Sequence, residues 1–175
     1  MFNSSIGYFL YYEEKSGITH VAPSKDKKGA TQLDNWVFIE AKFEKHGHTI
    51  HTINCDGGGE CINHNCVHYW EVVKRHTVNY STPHTPQHNS RAERKIKTID
   101  DKINACLQDY QLGDKYWEEC AIYVVFVENR ILTLYIKMPP MEALTGERVD
   151  YSRFTVPFGT VVYMLRLDRL KSESR

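Results

Sequence analysis

Ser81-Thr-Pro-His-Thr-Pro-Gln-His-Asn89-Ser-Arg-Ala-Glu93-Arg94 is the stretch on which the reading of this chain turns. Pro83 and Pro86 bar regular helix through its first half, and Ser90 offers a helix N-cap. From Arg91 to Tyr110 the apolar residues Ala92, Ile96, Ile99, Ile103, Cys106 and Tyr110 step by 4, 3, 4, 3 and 4, the strongest helical signal in the chain. The same helix carries Glu93 in its first turn and Lys97 one turn further on the same face.

Upstream of that helix, Thr49-Ile-His-Thr-Ile53 reads as a strand that runs into Asp56 and three glycines. A short helix is expected over Ile62 to Lys74 and an extended segment over Thr77 to Tyr80. Towards the N-terminus, Ile6 to Tyr12 and Ile18 to Ala22 flank a turn-like Glu-Glu-Lys-Ser-Gly17, which predicts a hairpin closed by Pro23. Between hairpin and strand, Leu33, Trp36, Val37, Ile39 and Phe43 form a helical stripe across Lys27 to Lys45. Downstream, a helix is expected from Asp114 to Arg130, then a short helical piece past Pro139 and Pro140, then β-prone Val156 to Leu167. Alternating elements of this kind predict a layered α/β domain in which helices cover a mixed sheet.

Composition narrows the class. The 175 residues are long enough to bury a core, 41% are hydrophobic, and 22 basic side chains balance 22 acidic ones, which excludes a disulfide-stapled miniprotein, a disordered chain and a polycation. The longest apolar run, Cys120 to Val127, is far below the ~20 residues that span a bilayer, so no membrane partner is expected. The N-terminus does not read as a secretory signal, and five cysteines point to a reducing, intracellular compartment. Residues 61–110 carry 7 basic and 5 acidic side chains and five of the nine histidines, a modest basic region able to touch a phosphate backbone.

Asp56 follows a strand and precedes glycines, a position where α/β sheets hold ligands and where Asp-Gly pairs also simply initiate turns. Glu93 equally suits the positive end of a helix dipole, and Lys97 equally suits an i,i+4 pair with it. Cys55, Cys61, His64, Cys66 and His68 crowd together with the donor chemistry of a zinc site, or as ordinary thiols and imidazoles on a short helix.

Three stretches give these residues a common context. Ile53-Asn-Cys-Asp56-Gly-Gly-Gly-Glu60-Cys, the Ser81–Arg94 stretch, and in the downstream order Trp117, Ala121, Asn129-Arg130, Pro140 to Gly146 and Phe158-Gly159 resemble the integrase catalytic core of retroviral and retrotransposon polyproteins, in its Copia-like branch. The 36 residues between Asp56 and Glu93 are one more than that family's spacing, which places one inserted residue within 62–76. The resemblance implies a ribonuclease H-like mixed sheet with flanking helices, a core over residues 1–132 and a C-terminal extension over 133–175. It implies metal-dependent DNA strand transfer in which carboxylates hold Mg²⁺ or Mn²⁺, with Asp56 as the second acid and Glu93 the third. Gln87, Asn89, Arg94 and Lys97 match positions that would contact DNA, the partner, in a homo-oligomer acting in the nucleus. The family's first acid and first strand lie upstream of the hairpin. Only six residues precede Gly7 and none is acidic, so the chain reads as N-terminally truncated, and weak or absent strand transfer is expected of it alone. Glu13 and Glu14 match a non-catalytic acidic pair. The alternative is a non-catalytic nucleic-acid-binding or self-associating remnant.

Overall fold

The computed structural model describes residues 5–26, 28–55, 63–80, 86–133, 136–153 and 158–160, and of 86–90 and 153 the backbone only. Strands β1 (Gly7–Tyr12) and β2 (Thr19–Ser24) pair antiparallel, from Gly7 opposite Ser24 to Tyr12 opposite Thr19. The Glu13 carboxylate accepts the N–H of Lys15 at 2.8 Å and of Ser16 at 2.7 Å, which fixes the turn between them. Pro23 lies inside β2 rather than beyond it. Its missing N–H falls on the outer side of an edge strand, where no ladder bond is lost.

Helix α1 (Gly29–Lys45) forms where the apolar stripe predicts it and buries Trp36, Ile39, Glu40 and Phe43. Its start is crowded: a Cβ on Gly29 would lie 2.4 Å from Cγ of Asn63, so only glycine admits this approach. Asn63 in turn caps α2 (His64–Val67), its side-chain oxygen accepting the Asn65 N–H at 2.9 Å. The single helix expected over 62–74 is instead α2 followed by a π-helical turn, His68–Val73, closed by Lys74 N–H on the Tyr69 carbonyl at 2.9 Å. A π turn takes one more residue than an α turn, and it falls within the segment where the spacing of the two motifs locates an extra residue.

Strand β3 (Thr52–Cys55) starts three residues later than the sequence pattern suggests and pairs parallel with β4 (Thr77–Tyr80). Ile50 and Ile53 both pack inward, and a spacing of three does not fit a two-residue strand period, so the chain bends between them. Helix α3 (Pro86–Asp109) starts at Pro86, which puts Ser90 inside the helix and not at its cap. Proline suits a first helical position because its N–H would lack an intrahelical partner there anyway. A 3₁₀ turn over Asp114–Tyr116 leads into α4 (Trp117–Glu128), and α5 (Pro140–Thr145) closes on Gly146 at φ +73°. Of the β-prone 156–167 segment, only residues 158–160 are described; Phe158 stacks on Tyr123 at 4.4 Å.

Helices cover both faces of the hairpin. On one side Ile99, Ile103 and Cys106 of α3 interlock with Cys120, Ala121, Val124 and Val125 of α4 against Tyr8, Leu10 and Val21. On the other, Ile39 and Phe43 of α1 meet Ile18 and Leu144. Trp36 joins Ile53, Cys66 and Trp70 in a third cluster, the two indoles edge-on at 5.5 Å. The expected single mixed sheet appears as two two-stranded sheets, one antiparallel and one parallel, with no strand pairing between them among the described residues.

Glu40 is buried, yet its carboxylate is fully partnered: the Tyr69 hydroxyl donates at 2.7 Å, His76 Nε2 lies at 2.9 Å and Lys74 Nζ at 3.3 Å. Lys74 also pairs with Glu44 at 2.8 Å, and that bond leads the causes that raise its pKa. These bonds tie α1 to the π turn and the start of β4. Glu40→Gln removes the buried charge and turns an amide N–H₂ towards groups that need an acceptor, so it is expected to lower stability by about 3 kcal/mol in urea titration. A loss under about 0.5 kcal/mol would show that the network is dispensable.

Candidate active-site cleft

Helix α3 is anchored at several points along its length. Arg91 pairs with Glu14 at 2.6 Å, Lys95 lies 5.6 Å over the Tyr12 ring, and the Tyr8 hydroxyl donates to Asp100 at 2.5 Å. Lys95 and Lys102 both clasp Glu128 on α4, the first at 3.0 Å. Glu93, Arg94 and Lys97 are exposed. Among the described residues, no ion pair joins Glu93 to Lys97, so the i,i+4 pairing open to them is not made. Gln87 and Asn89 lie on the first turn of α3, with their side chains outside the description.

Asp56 lies outside the described residues, as do residues 57–62, but β3 ends at Cys55 immediately before it. Asn54 and Ile53 of β3 line the same cleft as Arg91, Ala92 and Ile96 of α3, so the carboxyl end of the strand and the first described turns of the helix converge. Glu13 and Glu14 stand on its rim. The role of Glu14 in anchoring Arg91 had no local signal in the sequence, because the two are 77 positions apart.

Among the described residues the cysteine and histidine cluster does not gather. Cys66 is buried, its thiol donating to the Gly29 carbonyl at 3.3 Å, whereas His64 and His68 stack on the exposed side. Cys61 lies outside the described residues, and among those described no three metal-ligating side chains assemble.

No protein-family profile matches the sequence. Homologues are retrovirus-related Pol polyproteins of plant transposons, at modest identity over most of the chain. The polyprotein of transposon RE1 from Arabidopsis thaliana is 27% identical over 161 residues, 89% of this chain and 10% of its own length. That of transposon TNT 1-94 from Nicotiana tabacum is 27% identical over 113 residues, 63% of this chain and 8% of its own length. The chain thus spans about a tenth of the curated relatives it matches. Among solved structures, a chain of the simian T-cell lymphotropic virus intasome aligns with TM-score 0.63 at 12% identity, over 90% of this chain and 51% of that one. The HTLV-2 integrase catalytic core, solved with magnesium, aligns with TM-score 0.57 at 12% identity, over 78% of this chain and 91% of that one. The catalytic core of BIV integrase aligns with TM-score 0.59 at 14% identity, over 78% and 84%. The fold is therefore the ribonuclease H-like fold of integrase catalytic cores. No helix among the described residues is long and apolar enough to cross a membrane.

Burial pushes the Glu128 carboxyl upward, and the hydrogen bonds and charges of Lys102 and Lys95 more than offset it, so its pKa ends below the ordinary carboxylate value. A depressed carboxyl contributes stability that is present above its unfolded pKa and is lost as pH falls through the folded one. Glu128→Gln is expected to cost about 2 kcal/mol at neutral pH. In urea titrations the gap to the parent chain should narrow as pH drops below 4.5, and a gap unchanged at the acid end would remove the lysine clasp as its cause.

Proposed function

We propose that this chain is an integrase-core-like protein of Copia-type retrotransposon origin that binds duplex DNA along the exposed side of α3. The observation that carries the reading is the convergence of the end of β3 with the start of α3 on one cleft, beside Glu93, Arg94 and Lys97 in solvent. A cationic side chain on a rigid helix suits a phosphate backbone, with Lys97 as a point charge and Arg94 as a fork. Gln87 and Asn89, on the first turn of the same helix, supply amides for the sugar-phosphate edge.

Asp56 and Glu93 are the proposed metal ligands. Hard carboxylate oxygens fit Mg²⁺ or Mn²⁺, which when bound supplies Lewis-acid activation at phosphorus. The magnesium-bearing HTLV-2 core supports that ion class. Two carboxylates make a sparse set for a two-ion site, so the 175-residue chain is proposed to bind DNA with little strand transfer of its own. Residues 1–132 are the core in this reading and 133–175 an extension, from which Leu144 enters the α1 cluster. The trimeric and dimeric forms of the HTLV-2 core support a homo-oligomer, and DNA as partner supports a nuclear site of action.

Fluorescence anisotropy on a labelled duplex tests this directly. Lys97→Ala and Arg94→Ala are each expected to weaken binding and to lower the slope of log K against log salt by about 1. Mn²⁺ titration by calorimetry should show weak binding that Asp56→Asn or Glu93→Gln removes. Duplex affinity indifferent to both basic substitutions would overturn the interface; metal uptake indifferent to both acid substitutions would overturn the ligand assignment.

A further inference from the structure

Helix α2 is a single turn whose shape is set by its neighbours. The Asn63 side-chain oxygen accepts the Asn65 N–H at 2.9 Å, and the His68 N–H reaches back to the His64 carbonyl, which closes a full α turn between those two residues. So short a helix does not persist by itself in water. Its inner side supplies the stability: Cys66 is buried with its thiol donating to the Gly29 carbonyl at 3.3 Å, and Trp70 of the adjoining π turn is buried edge-on to Trp36 at 5.5 Å.

That anchoring puts His64 and His68 on the outer side, both exposed. Residues four apart on an α turn are neighbours, and these two rings lie within 3° of parallel with their centres 6.2 Å apart. Among the described residues neither ring makes a hydrogen bond or an ion pair, whereas His48 is bound to the Leu144 carbonyl at 2.8 Å and His76 to Glu40 at 2.9 Å. The ring nitrogens of His64 and His68 are therefore open to a ligand from solvent. An ion about 2.0–2.1 Å from one nitrogen of each imidazole puts the two ring centres roughly 5–6 Å apart, so a small turn of these exposed side chains closes a chelate.

We propose that His64 and His68 chelate one divalent ion of the zinc class (Zn²⁺, Ni²⁺ or Cu²⁺), with water at the remaining positions. Imidazole donors select these ions over Mg²⁺ and Mn²⁺, which take hard oxygen ligands, so the site differs in chemistry as well as in residues from the Asp56 and Glu93 pair. The Cys66 thiol takes no part because it is turned into the core. Two protein ligands, with no carboxylate or carbonyl orienting either ring from behind among the described residues, make the ion exchangeable and not a closed structural centre. The chelate spans the same turn that the His68 N–H closes, so it adds a tie that the unfolded chain lacks. This inference needs neither the carboxylate pair nor DNA.

Calorimetry with Zn²⁺ on the full chain, free of any histidine tag and in excess Mg²⁺ to occupy carboxylate sites, tests it. The parent chain should take up Zn²⁺, and its melting temperature should rise with Zn²⁺ concentration. His64→Ala and His68→Ala should each weaken uptake by about tenfold or more, a loss that removal of even an outer partner of a ligand can cause. Both variants should melt with the parent when metal is absent, because both rings stand in solvent. The double variant Asn65→His/His68→Ala keeps the number of histidines but sets them side by side, where they do not face each other, and should not restore uptake. His46→Ala and His51→Ala, at exposed histidines elsewhere, should leave it unchanged. With Cu²⁺ as probe, electron paramagnetic resonance should show coupling to two imidazole nitrogens in the parent and to one in each single variant. Uptake indifferent to His64→Ala and His68→Ala, full uptake by the side-by-side pair, or an equal loss in Cys61→Ser would each overturn the proposal.

Discussion

Two sheets with no strand pairing between them among the described residues are held in one body by a helix. The buried face of α1 does this: Ile39 and Phe43 grip the hairpin side with Ile18, while Trp36 grips β3, α2 and the π turn through Ile53, Cys66 and Trp70. Each such side chain contributes roughly 1.5–3 kcal/mol on full burial, so the face outweighs any single polar contact in the molecule. Between the apolar positions sits Glu40, whose three partners orient the π turn and β4 against the helix. Apolar burial supplies the adhesion and the buried carboxylate sets the register.

That arrangement positions the candidate site. The hairpin, fixed by α1 beneath it, provides Glu14, Tyr12 and Tyr8 as anchors for α3. The α3–α4 interface, with its buried Ile99, Ile103 and Cys120, packs the helix in place. Glu93, Arg94 and Lys97 are exposed on that helix. An exposed cation on a rigid support gives up little side-chain entropy to solvent before a phosphate arrives, and its charge acts over about a Debye length of 8–10 Å.

The readable parts of the chain were those in which one residue pattern suffices. The stripe of α1, the β-prone hairpin arms and the 4, 3, 4, 3, 4 steps of α3 each encode their own element, and the structure forms all three. Boundaries failed where a neighbour intervened. Ser90 offered a cap that α3 does not use because the helix begins at Pro86, and β3 starts late because Ile50 and Ile53 are drawn into the same core at a spacing no strand can serve. The Gly29–Asn63 contact and the Arg91–Glu14 pair leave no trace in local pattern, since each joins residues distant in sequence, whereas the π turn shows only as the extra residue in the spacing of the two motifs.

Sequence alone determined the element types of the hairpin, α1, β3, β4 and α3 and the two motif stretches that resemble integrase cores, because helical and strand periods and short motifs are properties of neighbouring residues. Tertiary structure alone decided that Cys66 turns inward while His64 and His68 face solvent, that Glu93 and Lys97 do not pair, and that the edges of β1 and β3 flank a cavity. The reason is physical: side-chain direction and edge exposure are set by which surfaces pack, and packing joins residues tens of positions apart whose proximity no local period encodes.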